Sequence, residues 1–432
     1  MNTAIMWAAG SHCRQYVGEM DEAAEDTQLM RGFRMKFRPT LAQRRYLACA
    51  FGVARFVWNW ALSTKREAYQ QKQATIGWLD LSKRLTALRT EKPWLTQVDR
   101  QTQQQSLRDL DAAYKHFFAK RVRFPRFKSR SSPQSVRFIL DGRSGKKFRA
   151  WAERRLVLPG LGACRLINSF ATWPSMPKML TASRDACGDY WISFAAQVDR
   201  LPMAPDHDIG VDVGITDLAV SSDGWKSGQK KVSKKKAAQL RRYQRQMSRR
   251  VSGSKRRGVA KRKAARLQRQ IANIRKDFVH KVSHQIATTA RSVVLETLNV
   301  QGMVANHHLA RSLSNASMSE LHRQIEYKVT QRSGTVIWVD RWAPTSKRCS
   351  NRICGAVIDT LPLSVRSWIC PSCGSEHDRD VNAARNTLAI GLGRAEFTRG
   401  DWRVQERVTP YRCARLNRES TQSPVSGWTA YG

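Results

Sequence analysis

Residues 208–224 read DIGVDVGITDLAVSSDG. Apolar residues flank Asp212 on both sides, and polar turn residues close the segment, so it predicts a hairpin with Asp212 in its first strand. An acid inside an apolar strand is costly unless it is paired or holds a metal. Further along, residues 290–300 (ARSVVLETLNV) predict a buried strand with Glu296 at its C-terminal end. A helix is expected from about Ser317 to Gly334, and TVIWVDRW (335–342) predicts another strand. DRDVNAARNTLAIGLG (378–393) predicts a helix that starts near Asp380. Strands alternating with helices give an α/β domain.

Two apolar strands thus carry Asp212 and Glu296, and Asp380 opens a helix. Convergence of the three would make a site for hard cations, Mg²⁺ or Mn²⁺, which take oxygen ligands. Two such ions roughly 3.5 to 4 Å apart suit phosphodiester cleavage, because charge must be neutralised on both the attacking and the leaving oxygen. On pattern alone each acid also has a plainer reading: Glu296 as a strand-end turn residue, and Asp380 as a helix cap.

Between Asp212 and Glu296 lies the densest charge in the chain. From Lys226 to Lys276 there are 21 Lys or Arg and no Asp or Glu. Helix formers dominate, and Gly253 or Gly258 offers a turn, so a basic helical hairpin is expected over 226–290. Solvated faces normally mix signs. This one predicts nucleic-acid contact through Lys234, Lys235, Arg241 and Arg242. Arg249, Arg250, Lys255, Arg256, Lys261 and Arg262 continue it.

Nine cysteines are present, an odd number, and four are bunched at Cys349, Cys354, Cys370 and Cys373. Four residues separate the first pair, two the second, and fifteen the pairs from each other. Gly355 and Gly374 follow the second cysteine of each pair, as tight knuckles need. The pattern predicts a closed, structural four-cysteine zinc site in a reducing compartment.

Upstream, RGFRMKFRP (31–39) predicts a strand ended by Pro39, and Thr40 an N-cap. In residues 41–69, Leu47, Phe51, Ala54, Val57, Trp58 and Ala61 recur at helical spacing. Further helices are expected near 79–89 and 101–120. From Arg121 the text turns basic and aromatic (RVRFPRFKSRSS). It then breaks into the strand-like runs SVRFIL, RLVLPGL, CRLI, MLTASRD and YWISFAAQVD. These predict a small β-barrel or sheet, joined by the strand near Phe33 to Phe37.

The whole chain has 432 residues and a net charge of +42, with 76 Lys or Arg against 34 Asp or Glu. Phosphate backbones neutralise such an excess most readily. No apolar run approaches the roughly 18 to 20 residues of a spanning helix. Asn2 to Gly10 lacks the basic start of a leader. A cytoplasmic protein is expected, associated with the nucleoid when bound to DNA, with no membrane partner.

The strings IGVDVG, VVLETLNV, TSKRCS, CPSCG and HDRDVNAARN occur in this order. With FRPTLAQ, FGVARFVWNWAL, RFPRFKS and EYKVTQRSG, they resemble the TnpB (OrfB) family over about Met30 to Gly393. These are transposon-associated RNA-guided endonucleases related to the compact type V CRISPR effectors. The first cysteine pair is two residues wider than is usual there.

The resemblance implies a multidomain α/β protein. A RuvC nuclease domain of RNase H-like fold would carry an inserted zinc module. A helical recognition domain and a β-barrel wedge domain would precede it. The implied segments are an extension outside the folded domains (1–29), a first wedge strand (30–40), a helical domain (41–120) and a wedge barrel (121–205). RuvC (206–344), a zinc module (345–376), a closing RuvC helix (377–393) and a tail (394–432) follow. By motif, Asp212, Glu296 and Asp380 match the family's catalytic acids, with Asp380 chosen over Asp378 because it adjoins the VNAA helix. The implied enzyme is a metal-dependent endodeoxyribonuclease. Its implied partners are a guide RNA from the transposon end and double-stranded target DNA, and we expect a monomer with its RNA. Trp58, Asn59, Lys83 and Arg84 are expected to read a motif beside the target, although Trp58 also fits a core position. Arg126 and Lys128 are expected to touch phosphate. A guide-dependent DNA-binding regulator without cleavage and a guide-independent transposase are the alternatives. Retention of all three acids disfavours the first. The basic run and the motif order disfavour the second.

Overall fold

The structure, a computed structural model, describes residues 28–72, 75–140, 155–167, 177–229, 233–298, 317–362 and 364–394. Nearly all of the 1–29 extension and of the 394–432 tail lies outside the described residues. The chain divides into two compact units, residues 1–199 with 239–268, and 200–238 with 269–432.

The first unit is built on β1 (Gln28–Arg38), which starts earlier than the expected boundary at Met30. Met30 itself pairs with Gln197 in the sheet, so the strand crosses that boundary. Alternation turns Met35 and Phe37 into the core, while Lys36 reaches Asp189 at 2.8 Å. Pro39 cannot continue the ladder, and Thr40 starts α1 (Leu41–Gln70) as expected. The Thr40 hydroxyl accepts from the Gln43 amide, and the Gln43 side chain accepts from the Thr40 amide. This reciprocal box satisfies two of the four donors that a helix start leaves open. The six apolar residues read at helical spacing are all buried.

The helices α2 (Trp78–Glu91) and α3 (Arg100–Phe118) follow. Then come β2 (Gln134–Ile139), β3 (Arg155–Leu158), β4 (Gly162–Leu166), β5 (Met179–Arg184) and β6 (Tyr190–Asp199). The sheet order is β2-β5-β6-β1-β4-β3, and every pairing is antiparallel. Among the described residues β2 and β3 are the two ends of this order. What is seen is therefore a six-stranded sheet, not a closed barrel.

The basic run forms α4 (Lys234–Ser248) and α5 (Lys255–Thr289), the predicted hairpin. Gly253 takes the turn at φ +82°, while Gly258 lies within α5. Arg250 donates to the Arg256 carbonyl at 2.7 Å, and Arg257 to the Arg250 carbonyl at 3.0 Å. Both bonds brace the corner. No residue of α4 is buried.

In the second unit, β7 (Asp208–Asp212), β9 (Ser292–Glu296) and β10 (Thr335–Val339) run parallel, and β8 (Val220–Ser221) pairs antiparallel with β7. The order is β10-β9-β7-β8. Ile209, Val211, Val293 and Leu295 bury one face against α5 and α6 (Met318–Thr330). The other face carries α7 (Arg379–Gly391). Gly210 makes this approach possible, since a Cβ there would collide with the Ala384 carbonyl and the Leu388 amide. A Cβ at Gly391 would strike Val294 in the same way. The last strands, β11 (Ser367–Ile369) and β12 (Glu376–Asp378), form a ribbon that leads directly into α7. No described helix is long and apolar enough to cross a membrane.

Candidate active site and metal centre

Strand period places Asp212 on the same face as Gly210, and Glu296 on the same face as Val294. That is the face covered by α7, whose first turn holds Asp380. Because β7 and β9 run parallel with Val211 opposite Leu295, Asp212 and Glu296 end neighbouring strands at the same edge. Ligands of open α/β sheets bind beyond this carboxyl edge. The sequence expectation that the three acids meet at one edge thus has a geometric basis.

Their electrostatics agree. Burial, and then the Asp380 carboxylate, push Asp212 up to about 7. Burial, then Asp212 and then Asp340, push Glu296 up to about 7. Like charges gathered in a poorly solvated place hold protons until a cation relieves them. Such clusters mark candidate functional sites. Asp340, just past β10, is a fourth acid that sequence reading missed.

Asp378 and Asp380 now separate. The Asp378 carboxylate accepts from the amides of Asp380 (3.1 Å) and Val381 (3.0 Å), so it is the N-cap of α7. It also pairs with Lys226 at 2.6 Å. The capping role that pattern allowed to Asp380 therefore belongs to Asp378. Asp380 faces Arg366 at 3.5 Å instead, and the same guanidinium donates to Thr216 at 3.1 Å. Arg366 had no sequence signal. It sits one residue before β11, within the cysteine module.

Among the described residues, only the four cysteines bring three or more candidate ligand atoms within 4.8 Å of one another. The Cys349–Cys373 and Cys354–Cys370 sulfurs are each 3.7 Å apart. Tetrahedral zinc with bonds of about 2.3 Å requires sulfurs about 3.8 Å apart, so the set fits. Gly355 and Gly374 take φ +59° and +71°, which completes the knuckles after Cys354 and Cys373. The wider first pair still delivers both sulfurs. His377 places Nε2 3.0 Å from the Cys349 sulfur and packs on Trp368.

Asn382 and Asn386 explain the rest of the DRDVNAARN motif. Asn382 donates to the Arg348 carbonyl at 2.7 Å and accepts from the Ser350 amide at 2.9 Å. Asn386 donates to the carbonyls of Thr345 and Arg348. Both are buried and fasten the helix bearing Asp380 to the chain entering the first cysteine.

The expected nucleic-acid residues divide. Lys83, Arg84 and Arg126 are exposed. So are Lys234, Lys235, Arg241, Arg242, Arg249, Lys255, Arg256, Lys261 and Arg262, whereas Arg250 is partly covered by the corner it braces. Trp58 is 8% exposed and donates its indole N–H to the Arg126 carbonyl at 3.0 Å. Asn59 holds the Lys128 backbone from both sides, at 2.9 and 2.7 Å. The Lys128 ammonium lies 3.6 Å over the Trp58 ring, and burial lowers its pKa. Trp58 and Asn59 therefore position the 126–128 segment, a correction to their expected role as readers of a DNA motif.

The sequence profile of OrfB_IS605, described as a probable transposase, matches residues 192–307. That of its helix-turn-helix domain matches 30–74, and the Cas12f1-like TNB domain matches 319–387. A Streptomyces pristinaespiralis protein named as an RNA-guided DNA endonuclease is 36% identical over 84% of this chain and 90% of its own length. The chain belongs to the TnpB (OrfB) family. InsQ of Escherichia coli K12, also named as an RNA-guided DNA endonuclease, is 33% identical over 84% of this chain and 92% of its own length. A solved Cas12f1–sgRNA–target DNA complex aligns at TM-score 0.46 and 12% identity, covering 84% of this chain and 99% of that one, a likeness too distant to fix the fold. Within the family frame, the HDRDVNAARN motif joins the cysteine module to the acid edge.

Proposed function

We propose that this TnpB-family chain is a transposon-associated RNA-guided DNA endonuclease with one RuvC-like, RNase H-like site. The observation that carries the proposal is the gathering of Asp212, Glu296 and Asp380 at the carboxyl edge of one parallel sheet, each raising or feeling the charge of another. These three would hold divalent cations, Mg²⁺ or Mn²⁺. Bound there, a pair of such ions supplies charge neutralisation at the attacking and leaving oxygens of a phosphodiester. Carboxylates that ligate different ions of a pair stand further apart than ligands of one ion, which accords with a looser set than the four sulfurs. Arg366 would hold Asp380 in place and stand ready for a phosphate oxygen. Zinc held by Cys349, Cys354, Cys370 and Cys373 is structural, and Asn382 and Asn386 pass that order to α7.

The exposed bases of α4 and α5 would contact a guide RNA and its duplex through phosphates, leaving sequence to base pairing. Such contact weakens steeply with salt. The direct test is cleavage of a plasmid target by the full-length protein with RNA from the element's end and Mg²⁺, beside Asp212→Ala. Guide-dependent cutting that disappears in the variant is expected. Guide-dependent binding with no cutting by the parent protein would overturn the endonuclease reading in favour of a DNA-binding regulator.

A further inference from the structure

A face of α1 recurs at Gly52, Phe56, Trp60 and Ser63, and together with Arg55, Trp94 and Phe127 it lines an open cleft of about 630 Å³. On the other side of Phe127, a second cleft of about 280 Å³ is lined by Arg66, Arg123, Phe124 and Arg126. Phe127 stands between them, 50% exposed, and Trp94 is 41% exposed. The Phe56 and Trp94 rings meet edge to face at 5.0 Å. The Arg66 guanidinium lies 5.6 Å from the Phe124 ring and 5.5 Å from the Phe127 ring. Neither cleft is lined by an acid. Solvent-facing aromatic rings interleaved with arginines are costly to leave open, and they match a ligand that has a flat face and an anionic backbone.

We infer that Phe127 and its two clefts form a stacking platform for unpaired bases of a folded RNA. The inference rests on the nucleic-acid reading above and adds a place and a mode to it. Bases stack on aromatic rings and guanidinium planes, and they do so with little regard to sequence. The platform is short. Two clefts about one ring accept a base or a few, as a loop or bulge of folded RNA presents them. A displaced DNA strand would call for a continuous track. Trp58 and Asn59 acquire a purpose here, because their bonds to the backbone of 126–128 hold Phe127 outward.

The test uses the full-length protein and three probes: an RNA hairpin with 2-aminopurine in its unpaired loop, a blunt RNA duplex of equal length, and the DNA hairpin of the same sequence. The loop RNA should bind at least about tenfold more tightly than the duplex, in keeping with the stacking of one base, with its 2-aminopurine quenched. Phe127→Ala should remove both effects and leave duplex binding unchanged. Gly52→Leu should do likewise by filling the cleft, since a Cβ at Gly52 meets no atom within 4 Å. An unchanged melting temperature in either variant shows that the fold is intact. Equal binding of loop and duplex RNA, with both salt-sensitive, would overturn the platform and leave the nucleic-acid reading standing. A DNA hairpin bound as tightly, with the same loss in Phe127→Ala, would overturn RNA as the occupant. Failure of every RNA to bind at low salt would sink both readings.

Discussion

The cysteine cluster and the carboxylate edge are both built for metal, yet they are assembled in opposite ways. The four sulfurs come from one stretch of 25 residues, Cys349 to Cys373, and tight knuckles at Gly355 and Gly374 bring them together. The carboxylates come from residues 212, 296 and 380, and only the pairing of β7 with β9 and the packing of α7 unite them. A closed thiolate site adds folding energy through its ion. A cluster of half-buried acids works against folding until its cation arrives. The first is a device for stability, the second a device for chemistry that the rest of the domain must support.

Breaking the thiolate side should have the largest effect. Cys370→Ser is expected to lose zinc altogether, a binding free energy on the order of 10 kcal/mol or more. Metal analysis and limited proteolysis of the 345–378 region measure it, and full zinc retention would refute four-sulfur ligation. Asp212→Ala comes next. Cleavage should fall by roughly a thousandfold or more, about 4 kcal/mol in the barrier. Zinc content should stay at the parent level and the melting temperature should rise, because a crowded acid has gone. Loss of zinc in that variant would mean that the two sites are not separable.

A third test concerns the floor of the acid-bearing sheet. His322 is buried against Trp338, with ring centroids 5.2 Å apart, and burial pushes its pKa down to about 4 from the usual 6.5. Its folded-state pKa is lowered, so the unfolded chain takes up a proton that the folded site refuses. The neutral ring's contribution is fully present above pH 6.5 and is lost as pH falls towards 4, at most about 3 kcal/mol. Denaturant melts across that range should show the loss, and His322→Leu should flatten it. An equally steep slope in His322→Leu would assign the effect elsewhere.

The smallest effect tests how the carboxylate edge is held. Gly210→Ala forces a Cβ into the backbone of α7. Overpacking of this kind costs about 1–3 kcal/mol. Cleavage should fall with it while the cysteine site keeps its zinc, and unchanged stability and activity would show that α7 need not lie so close.

Local chemistry made part of this protein legible in advance. Thr40 with Gln43, Pro39, the helical spacing of Leu47 to Ala61, the turn at Gly253 and the cysteine spacing are patterns of a few residues. They report caps, faces and knuckles because those are settled within one or two turns of chain. The strand ends at Asp212 and Glu296 were readable for the same reason. That the two strands lie side by side and parallel was not. Pairing across some eighty residues leaves no short-range mark, and only the family resemblance had joined the acids beforehand. Tertiary structure alone gave the helix cap to Asp378, set Arg366 against Asp380, brought Asp340 near Glu296, and turned Trp58 inward to hold Phe127 out. Each of those outcomes depends on which surfaces meet. Sequence period tells which side of an element is apolar. It does not tell what that side, or the polar residue beside it, will touch.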